Sequence, residues 1–357
     1  MNQNYCVIMA GGVGSRFWPI SRTNTPKQFL DFFGTGRSLL QMTYDRFSAV
    51  IPPENIFVVS NVIYKDTILQ QLPEIQESQV LLEPHRRNTA PCIAYAVNRI
   101  KAISDTANIV VAPSDHLILK ENEFKNILLK GLDFVQNNDS LLTLGIKPSR
   151  PETGYGYIQI EETEGDIHKV KTFTEKPNLE LAKVFFETGE FYWNSGIFLW
   201  NINTILKAFD TLLPDIALKF AQGAPFYNTD KERAYINEVY STCTNISIDY
   251  GIMEKAENVF VLCADIGWTD LGTWGSLYEM SEKDENQNVN LKSKTLFYNS
   301  RENIVVLPQG KLAVIDGLSG YLVAESDNVL LICKKDEEAK IRQFVNDVVL
   351  TFDGEFV

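Results

Sequence analysis

Residues 5–30 read YCVIMAGGVGSRFWPISRTNTPKQFL, and this stretch decides how the rest of the chain is to be read. An apolar run from Tyr5 to Ala10 breaks at Gly11-Gly12, a third glycine follows at Gly14, and Arg16, Arg22 and Lys27 come after it. That order predicts a strand, a tight glycine loop and a set of cations. Glycine lets a backbone turn sharply and approach an anion closely, so that successive N–H groups point at its oxygens. The first acidic residue is Asp31, in a protein whose formal net charge is -13. A glycine cluster is often no more than a turn, but a basic, acid-free opening in so acidic a chain suits a polyphosphate.

Two better-known glycine loops do not fit. A P-loop needs G-x-x-x-x-G-K-[ST], and no lysine follows these glycines at that spacing. A dinucleotide fingerprint counted from Gly12 and Gly14 puts Phe17 where a third small residue must allow helix and strand to pack closely. A nicotinamide dehydrogenase is disfavoured on that ground.

The chain has 357 residues, 45% of them hydrophobic, which is enough for one large α/β domain and a smaller appendage. No run approaches the ~20 apolar residues that span a bilayer, and a strand begins without a signal-like leader, so a cytoplasmic protein is expected. Cysteines 6, 92, 243, 263 and 333 form no C-x-x-C pair and leave an odd one over, which reads as reduced thiols, with Cys6, Cys92 and Cys263 in the core. A sequence pI near 4.8 argues against nucleic-acid and anionic-membrane partners, since both require a basic face.

Further along, Leu40 to Ile51 reads as a helix stopped by Pro52-Pro53, and Asn55 to Ser60 and Val80 to Leu82 read as strands. Asn88 and Thr89 mark a helix start, with Ile93, Val97, Ile100 and Ile103 as its apolar stripe. Arg86 and Arg87 before that N-terminus suit an anion. Asn108 to Ala112 is a strand ending in Pro113-Ser114-Asp115-His116, and a carboxylate at the carboxyl end of a parallel strand sits where open α/β sheets bind ligands. His116 reads as a packing or supporting residue. Leu141 to Ile146, Lys169 to Glu175 and Val259 to Ala264 read as strands, and Leu179 to Thr188 as a helix. Gly154 and Gly156 around Tyr155 would let the backbone come close to a ligand, Glu175 could accept from hydroxyls, and Lys176 could hold a phosphate. Asp249 before Tyr250 could equally be a helix cap. Asp270 follows the strand 259–264 as Asp115 follows 108–112, so one sheet could bring both to one edge, a two-carboxylate site of the kind Mg²⁺ prefers. From residue 288 short strands recur every eight or nine residues between Gln-Gly, Asp-Gly and Ser-Gly turns, with a closing helix near 336–348. The expected division is 1–287, a catalytic domain, and 288–357, a small β-rich domain.

The motif GGVGSRFWPISRTNTPKQF resembles the opening of the sugar-1-phosphate nucleotidylyltransferases, and its WP-x-SR and PKQF parts resemble the mannose-1-phosphate guanylyltransferase branch. Residues 83–91, the TGYGYI run, Glu175-Lys176-Pro177, Tyr192 to Phe198 and Ser247-Ile-Asp-Tyr250 resemble further elements of that family, in its order. The resemblance implies a Rossmann-like mixed sheet flanked by helices, of the nucleotide-diphospho-sugar transferase type, with the β-rich C-terminal domain. It implies a Mg²⁺-dependent enzyme of GDP-mannose biosynthesis that joins GMP from GTP to α-D-mannose 1-phosphate. The nucleotide would meet Ala10, Gly11, Gly12, Gly14, Ser15, Arg16, Lys27, Glu83, Arg87, Asn88 and Thr89. The sugar phosphate would meet Gly154, Tyr155, Gly156, Glu175, Lys176, Asn194, Ser195, Gly196 and Asp249, and the metal Asp115 and Asp270. Arg16, Lys27, Asp115, Lys176 and Asp270 would carry catalysis. Another NTP or hexose 1-phosphate, or a non-catalytic nucleotide-sugar sensor, remains open, as does a homodimer.

Overall fold

The computed structural model describes residues 3–12, 14–161 and 164–357. Its first strands are β1 (Asn4–Met9), β2 (Ile56–Asn61), β3 (Val80–Glu83), β4 (Asn108–Pro113), β5 (Leu117–Ile118), β6 (Leu141–Ile146), β7 (Tyr157–Ile160), β8 (Ile167–Thr174), β9 (Phe191–Asn201), β10 (Val259–Ala264) and β11 (Trp268–Thr269). Among the described residues, nine of them form one sheet in the order β3-β2-β1-β4-β9-β6-β10-β8-β7. β1 runs parallel to β2 and β4, β2 to β3, and β6 to β10. β9 is antiparallel to both β4 and β6, so β1 to β4, β6 and β10 all point one way. β2 and β6 are buried at every position, the continuous apolar pattern of strands covered on both faces.

The helix Thr89–Lys101 covers part of that sheet, with Ile93, Ala94, Val97 and Ile100 packed in one core with Val7, Phe57 and Val111. Asn88 starts it at φ 67°, its side chain accepting the Thr89 N–H. The expected stripe stops at Ile100, because the helix ends at Lys101 and Ile103 is exposed. All five cysteines are free. Cys6 and Cys92 are buried as read, but Cys263 is only half-buried and Cys243 is buried instead. Among the described residues no helix is long and apolar enough to cross a membrane.

The chain divides into two compact units, Met1–Gly11, Thr43–Ser114 and Ile118–Trp268 in the first, Gly12–Met42, Asp115–Leu117 and Thr269–Val357 in the second. The cut expected between 287 and 288 falls inside the second unit. Its cause is a shared core: Phe17, Trp18 and Phe32 pack with Trp274, Val289, Ile304 and Leu322. Phe17, which ruled out the dinucleotide loop, meets Phe32 edge to face at 4.9 Å.

The rest of the second unit is β12 (Val289–Leu291), β13 (Lys294–Tyr298), β14 (Ile304–Val306), β15 (Leu312–Asp316), β16 (Tyr321–Ser326) and β17 (Val329–Lys334). Sequence neighbours mostly do not pair. β12 lies parallel to β14, β14 to β16 and β13 to β15, each strand stacked on the one a full coil earlier. Among these described strands, only β16 and β17 pair antiparallel. Buried asparagines link the coils: Asn303 Nδ2 donates to Asn288 Oδ1 at 2.9 Å, while Asn303 Oδ1 accepts the Tyr321 N–H. The closing helix is a 3-10 stretch, Lys335–Lys340, running into Ile341–Phe352.

Candidate active site

In the second unit the polar centre is Lys27. It opens the short turn Lys27–Phe29 and is only 4% exposed. Its ammonium reaches Asp115 Oδ2 at 2.9 Å, the Asp270 carbonyl at 2.6 Å and the Leu271 carbonyl at 3.0 Å. An ammonium has three protons, and these acceptors use all three. A phosphate oxygen therefore reaches Lys27 only by displacing one of them. Burial alone would raise the Asp115 carboxyl, but the charges of Lys27 and His116 outweigh it and hold it below the ordinary carboxylate range. His116 Nε2 lies 3.9 Å from Asp115 Oδ1, in keeping with a supporting residue.

Asp270 Oδ1 accepts the Gly272 N–H at 2.8 Å. A side chain at Gly272 would place its Cβ 2.4 Å from Asp270 Oδ2, so glycine there leaves the Asp270 carboxylate where it is. One ammonium thus ties together the backbone at Asp270 and the carboxylate of Asp115. The donors offered by the two aspartates are all oxygen, the hard set that Mg²⁺ takes. Among the described residues no group of three or more His, Cys, Asp or Glu gathers as a metal cluster.

Gly14 has φ 61°, and a Cβ there would meet the Lys27 Cβ at 2.5 Å. Gly12 is exposed with open space around its Cβ position, while its carbonyl accepts from Gln28 Nε2 at 2.9 Å. The conformational need for glycine in this loop thus falls on Gly14. Arg16 is exposed, with Nη1 3.5 Å from the Gly272 carbonyl, a weak contact. Ser15 begins the turn Ser15–Phe17, and its side chain lies outside the described residues. Arg22, one of the three opening cations, donates to the Ser326 carbonyl at 2.8 Å and to Asn328 Oδ1 at 3.2 Å, so it pins the β16–β17 turn.

In the first unit Ala10 follows β1, its carbonyl accepting from Ser60 Oγ at 2.7 Å. Glu83 ends β3 and is buried, with Tyr240 Oη donating to Oε1 at 2.8 Å. Burial pushes the Glu83 carboxyl up to about 7 against the opposing pull of that hydrogen bond and of Arg86. A Cβ at Gly11 would stand at ordinary contact, 3.7 Å, from Glu83 Oε2. Arg87 donates to the carbonyls of Tyr240 and Ser241, at the end of the helix Glu232–Thr242, as cations at helix C-termini do. Thr89 Oγ1 accepts the Ile248 N–H. Asn88, Thr89 and Arg87 are thus bound into helix ends and a neighbouring loop.

A second cluster in the first unit gathers Gly156, Glu175, Lys176, Asn194 and Asp249. A Cβ on Gly156 would sit 2.5 Å from Glu175 Oε2, so this glycine makes room for the carboxylate and not, as read, for an open approach. Gly154 donates its N–H to Glu152 Oε1 at 3.0 Å, and Tyr155 lies edge-on to Trp193 and Trp268 with centroids 5.1 Å apart in each case. Lys176 stands at φ 46° with its ammonium on Glu175 Oε1. Burial would lower that ammonium, but the hydrogen bond and charge of Glu175 raise it on balance.

Asn194 Nδ2 donates to Asp249 Oδ1 at 2.9 Å, and Asn194 Oδ1 accepts the Gly196 N–H at 3.1 Å, Gly196 being at φ 71°. Ser195 Oγ accepts the Ile197 N–H. Asp249 begins a π-helical turn, Asp249–Met253. Burial and the nearby Glu175 push its carboxyl up to about 7, against Lys176 and Asn194.

The sequence reading passed over Tyr240, which holds Glu83; Glu254, whose Oε1 accepts the Glu175 N–H at 3.0 Å; and Thr143 beneath Asn194. Only Thr143 left a signal, a hydroxyl in the otherwise apolar run LLTLGI.

The nucleotidyl transferase family profile matches residues 5–287. A mannose-1-phosphate guanylyltransferase of Escherichia coli is 32% identical over 355 residues, covering 97% of this chain and 75% of the relative. Another, from Salmonella typhimurium, is 35% identical over 346 residues, covering 95% of this chain and 71% of the relative. A crystal structure from Thermus thermophilus, described as a mannose-1-phosphate geranyltransferase, is similar at TM-score 0.88 and 30% identity, covering 97% of this chain and 99% of that one.

Proposed function

Since this chain belongs to the nucleotidyl transferase family, with mannose-1-phosphate guanylyltransferases among its relatives, we propose that it transfers GMP from GTP to α-D-mannose 1-phosphate, giving GDP-mannose and pyrophosphate. In this reaction an oxygen of the sugar phosphate attacks the α-phosphorus of GTP, and the bond to the β-phosphate breaks as pyrophosphate leaves. A phosphate monoester is already an ionised nucleophile, so no strong general base is required. Alignment and neutralisation of charge are what the residues must supply.

The observation that carries the reading is the Lys27 ammonium fixed between Asp115 and the Asp270–Leu271 backbone, next to a glycine that must be glycine. Such a charge arrangement supports binding of a triphosphate and a divalent cation. Asp115 and Asp270 would hold Mg²⁺, which when bound offsets negative charge on phosphate oxygens. Arg16 is the exposed cation for the triphosphate, and Lys27 keeps Asp115 ionised. In the other cluster Lys176 holds the acceptor phosphate, while Glu175 and Asp249 accept from hexose hydroxyls. A cytoplasmic setting agrees with five free thiols.

The test is pyrophosphate release from GTP and mannose 1-phosphate, with and without Mg²⁺, beside the same assay with other NTPs and other hexose 1-phosphates. We expect release that needs Mg²⁺ and is fastest with GTP and mannose 1-phosphate. Release in the presence of a chelator would remove the metal from the proposal, a faster alternative pair would reassign the substrates, and no release with any pair would overturn it.

A further inference from the structure

β6 and β9 pair antiparallel, but their register slips between Thr143 and Gly145: Thr143 faces Phe198, whereas Gly145 faces Asn194. A bulge of this kind bends a strand, leaves backbone groups off the ladder and re-aims a side chain. The residues loosened here are Ser195 to Ile197, with Gly196 at φ 71°. Thr143 is fully buried, and its Oγ1 lies 3.1 Å from the Ile197 carbonyl and 2.9 Å from Asn194 Oδ1. The hydroxyl has one proton for two acceptors, the Ile197 carbonyl and the Asn194 amide oxygen, and Asn194 is the nearer of them.

Asn194 has two ends with different needs. Its oxygen end accepts the Gly196 N–H and faces Thr143, and its nitrogen end donates to Asp249 Oδ1. With the amide reversed, a donor would face the Gly196 N–H and an acceptor would face the Asp249 carboxylate, so one orientation is fixed. Gly196 sets which way the amide points. Thr143 is the side chain that holds its oxygen end in place.

We infer that Thr143 is a positioning residue for the acceptor side of the reaction, acting through Asn194 on Asp249, so that the Asp249 carboxylate is held to accept from the sugar phosphate. This rests on the proposed reaction. A buried, hydrogen-bonded relay of this length keeps its last member in one place only if every link is satisfied.

Thr143→Val keeps the shape of the side chain and removes the hydroxyl. Steady-state kinetics with each substrate varied in turn is expected to give an apparent KM for mannose 1-phosphate raised by about tenfold, the size of one buried hydrogen bond, with KM for GTP within about twofold. Thr143→Ser is expected to restore the wild-type KM, and Thr143→Val added to Asn194→Ala to change it no further. Equal rises for both substrates, an unchanged KM for mannose 1-phosphate, or failure of serine to restore it would overturn the inference. Should Thr143→Val not fold, Thr143→Ala and Thr143→Ser carry the same comparison. A readout without substrate separates this from the reaction itself: the Asn194 side-chain amide, slow to exchange by NMR in the wild type, is expected to exchange fast in Thr143→Val. Fast exchange already in the wild type overturns the positioning role, whereas a wild type that turns over no mannose 1-phosphate overturns the reaction.

Discussion

Two aspartates in this chain are driven in opposite directions by their surroundings. Asp115 has a buried ammonium at 2.9 Å and lies below the ordinary carboxylate range, while Asp249, with a second carboxylate nearby and an amide as hydrogen-bond donor, is raised to about 7. The lysines beside them differ in the same sense. Lys27 is buried with its three protons placed, whereas the side chain of Lys176 is 57% exposed and bound to one carboxylate. In the first cluster the charge of Lys27 is matched by that of Asp115, while Lys27 meets Asp270 through the backbone carbonyl. The second sets two carboxylates, Glu175 and Asp249, beside the one ammonium of Lys176, whose backbone stands at φ 46°. Residue type therefore says less about what a charged group does here than the number and nature of its fixed partners.

The comparison breaks most visibly at Lys27. Lys27→Ala takes the ammonium away from Asp115 and from the Asp270 and Leu271 carbonyls, and is expected to cost on the order of 3 kcal/mol of stability as well as turnover. Lys27→Arg is not expected to restore either, because a planar fork cannot meet three acceptors gathered around one point. Urea unfolding beside the pyrophosphate assay measures both, and a stable, active Lys27→Ala would show that the cluster is not built on its ammonium. Next in size is Gly14→Ala, expected to destabilise by about 1–3 kcal/mol because its φ is positive and its Cβ position is taken. Gly12→Ala is expected to be within ~0.5 kcal/mol. Equal melting temperatures for the two would erase the distinction between the glycines.

Lys176→Ala sharpens the contrast from the other side. Its ammonium is largely exposed but the Glu175 carboxylate it meets is only 6% exposed, so its loss is expected to cost about 1–2 kcal/mol of stability, less than at Lys27, yet to raise the KM for mannose 1-phosphate roughly tenfold or more, as a charge-assisted contact would, with a smaller change for GTP. Equal damage to both substrates would move it away from the acceptor phosphate. A last expected effect is on pH dependence. Glu83 and Asp249 bind a proton more tightly folded than unfolded, so between their ordinary values, 4.5 and 3.8, and about 7 the folded state holds more protons. Their contribution to stability is accordingly greatest in acid and declines as pH rises through that window. Melting temperatures from pH 4 to 8 are expected to show a shallower decline in Glu83→Gln and Asp249→Asn, and an unchanged slope in both would remove these groups as its source.

Much of the fold was legible because burial writes itself into composition: the runs at 108–112, 141–146 and 259–264 are apolar but for Asn108 and Thr143, and lie in the sheet. The helix expected at 179–188 is found there, bounded by Asn178, which accepts the Leu181 N–H, and by Gly189, which turns left-handed beyond it. What the sequence could not display is long-range pairing. Evenly spaced short strands with turn residues are equally consistent with hairpins and with stacked coils, and only the register, Val289 on Ile304 and Ile304 on Leu322, tells them apart. In the site, residue types were readable but their partners were not. Arg22 and Lys27 look alike in the opening stretch, and one pins a distant turn while the other sits on Asp115. Gly156 reads as empty space until Glu175 is found occupying it.

The stacked coils impose a rule on how this part of the chain can vary. Val289 meets Ile304 and Ile304 meets Leu322, and Asn303 of one turn donates to Asn288 of the turn before. A loss or gain of one residue inside a strand would send each following side chain to the opposite face, and would also carry the asparagine out of reach of its neighbour. Adding or removing one whole turn leaves parity and ladder as they were. Length in this region is thus quantised, tolerating change in complete turns and resisting it in fractions.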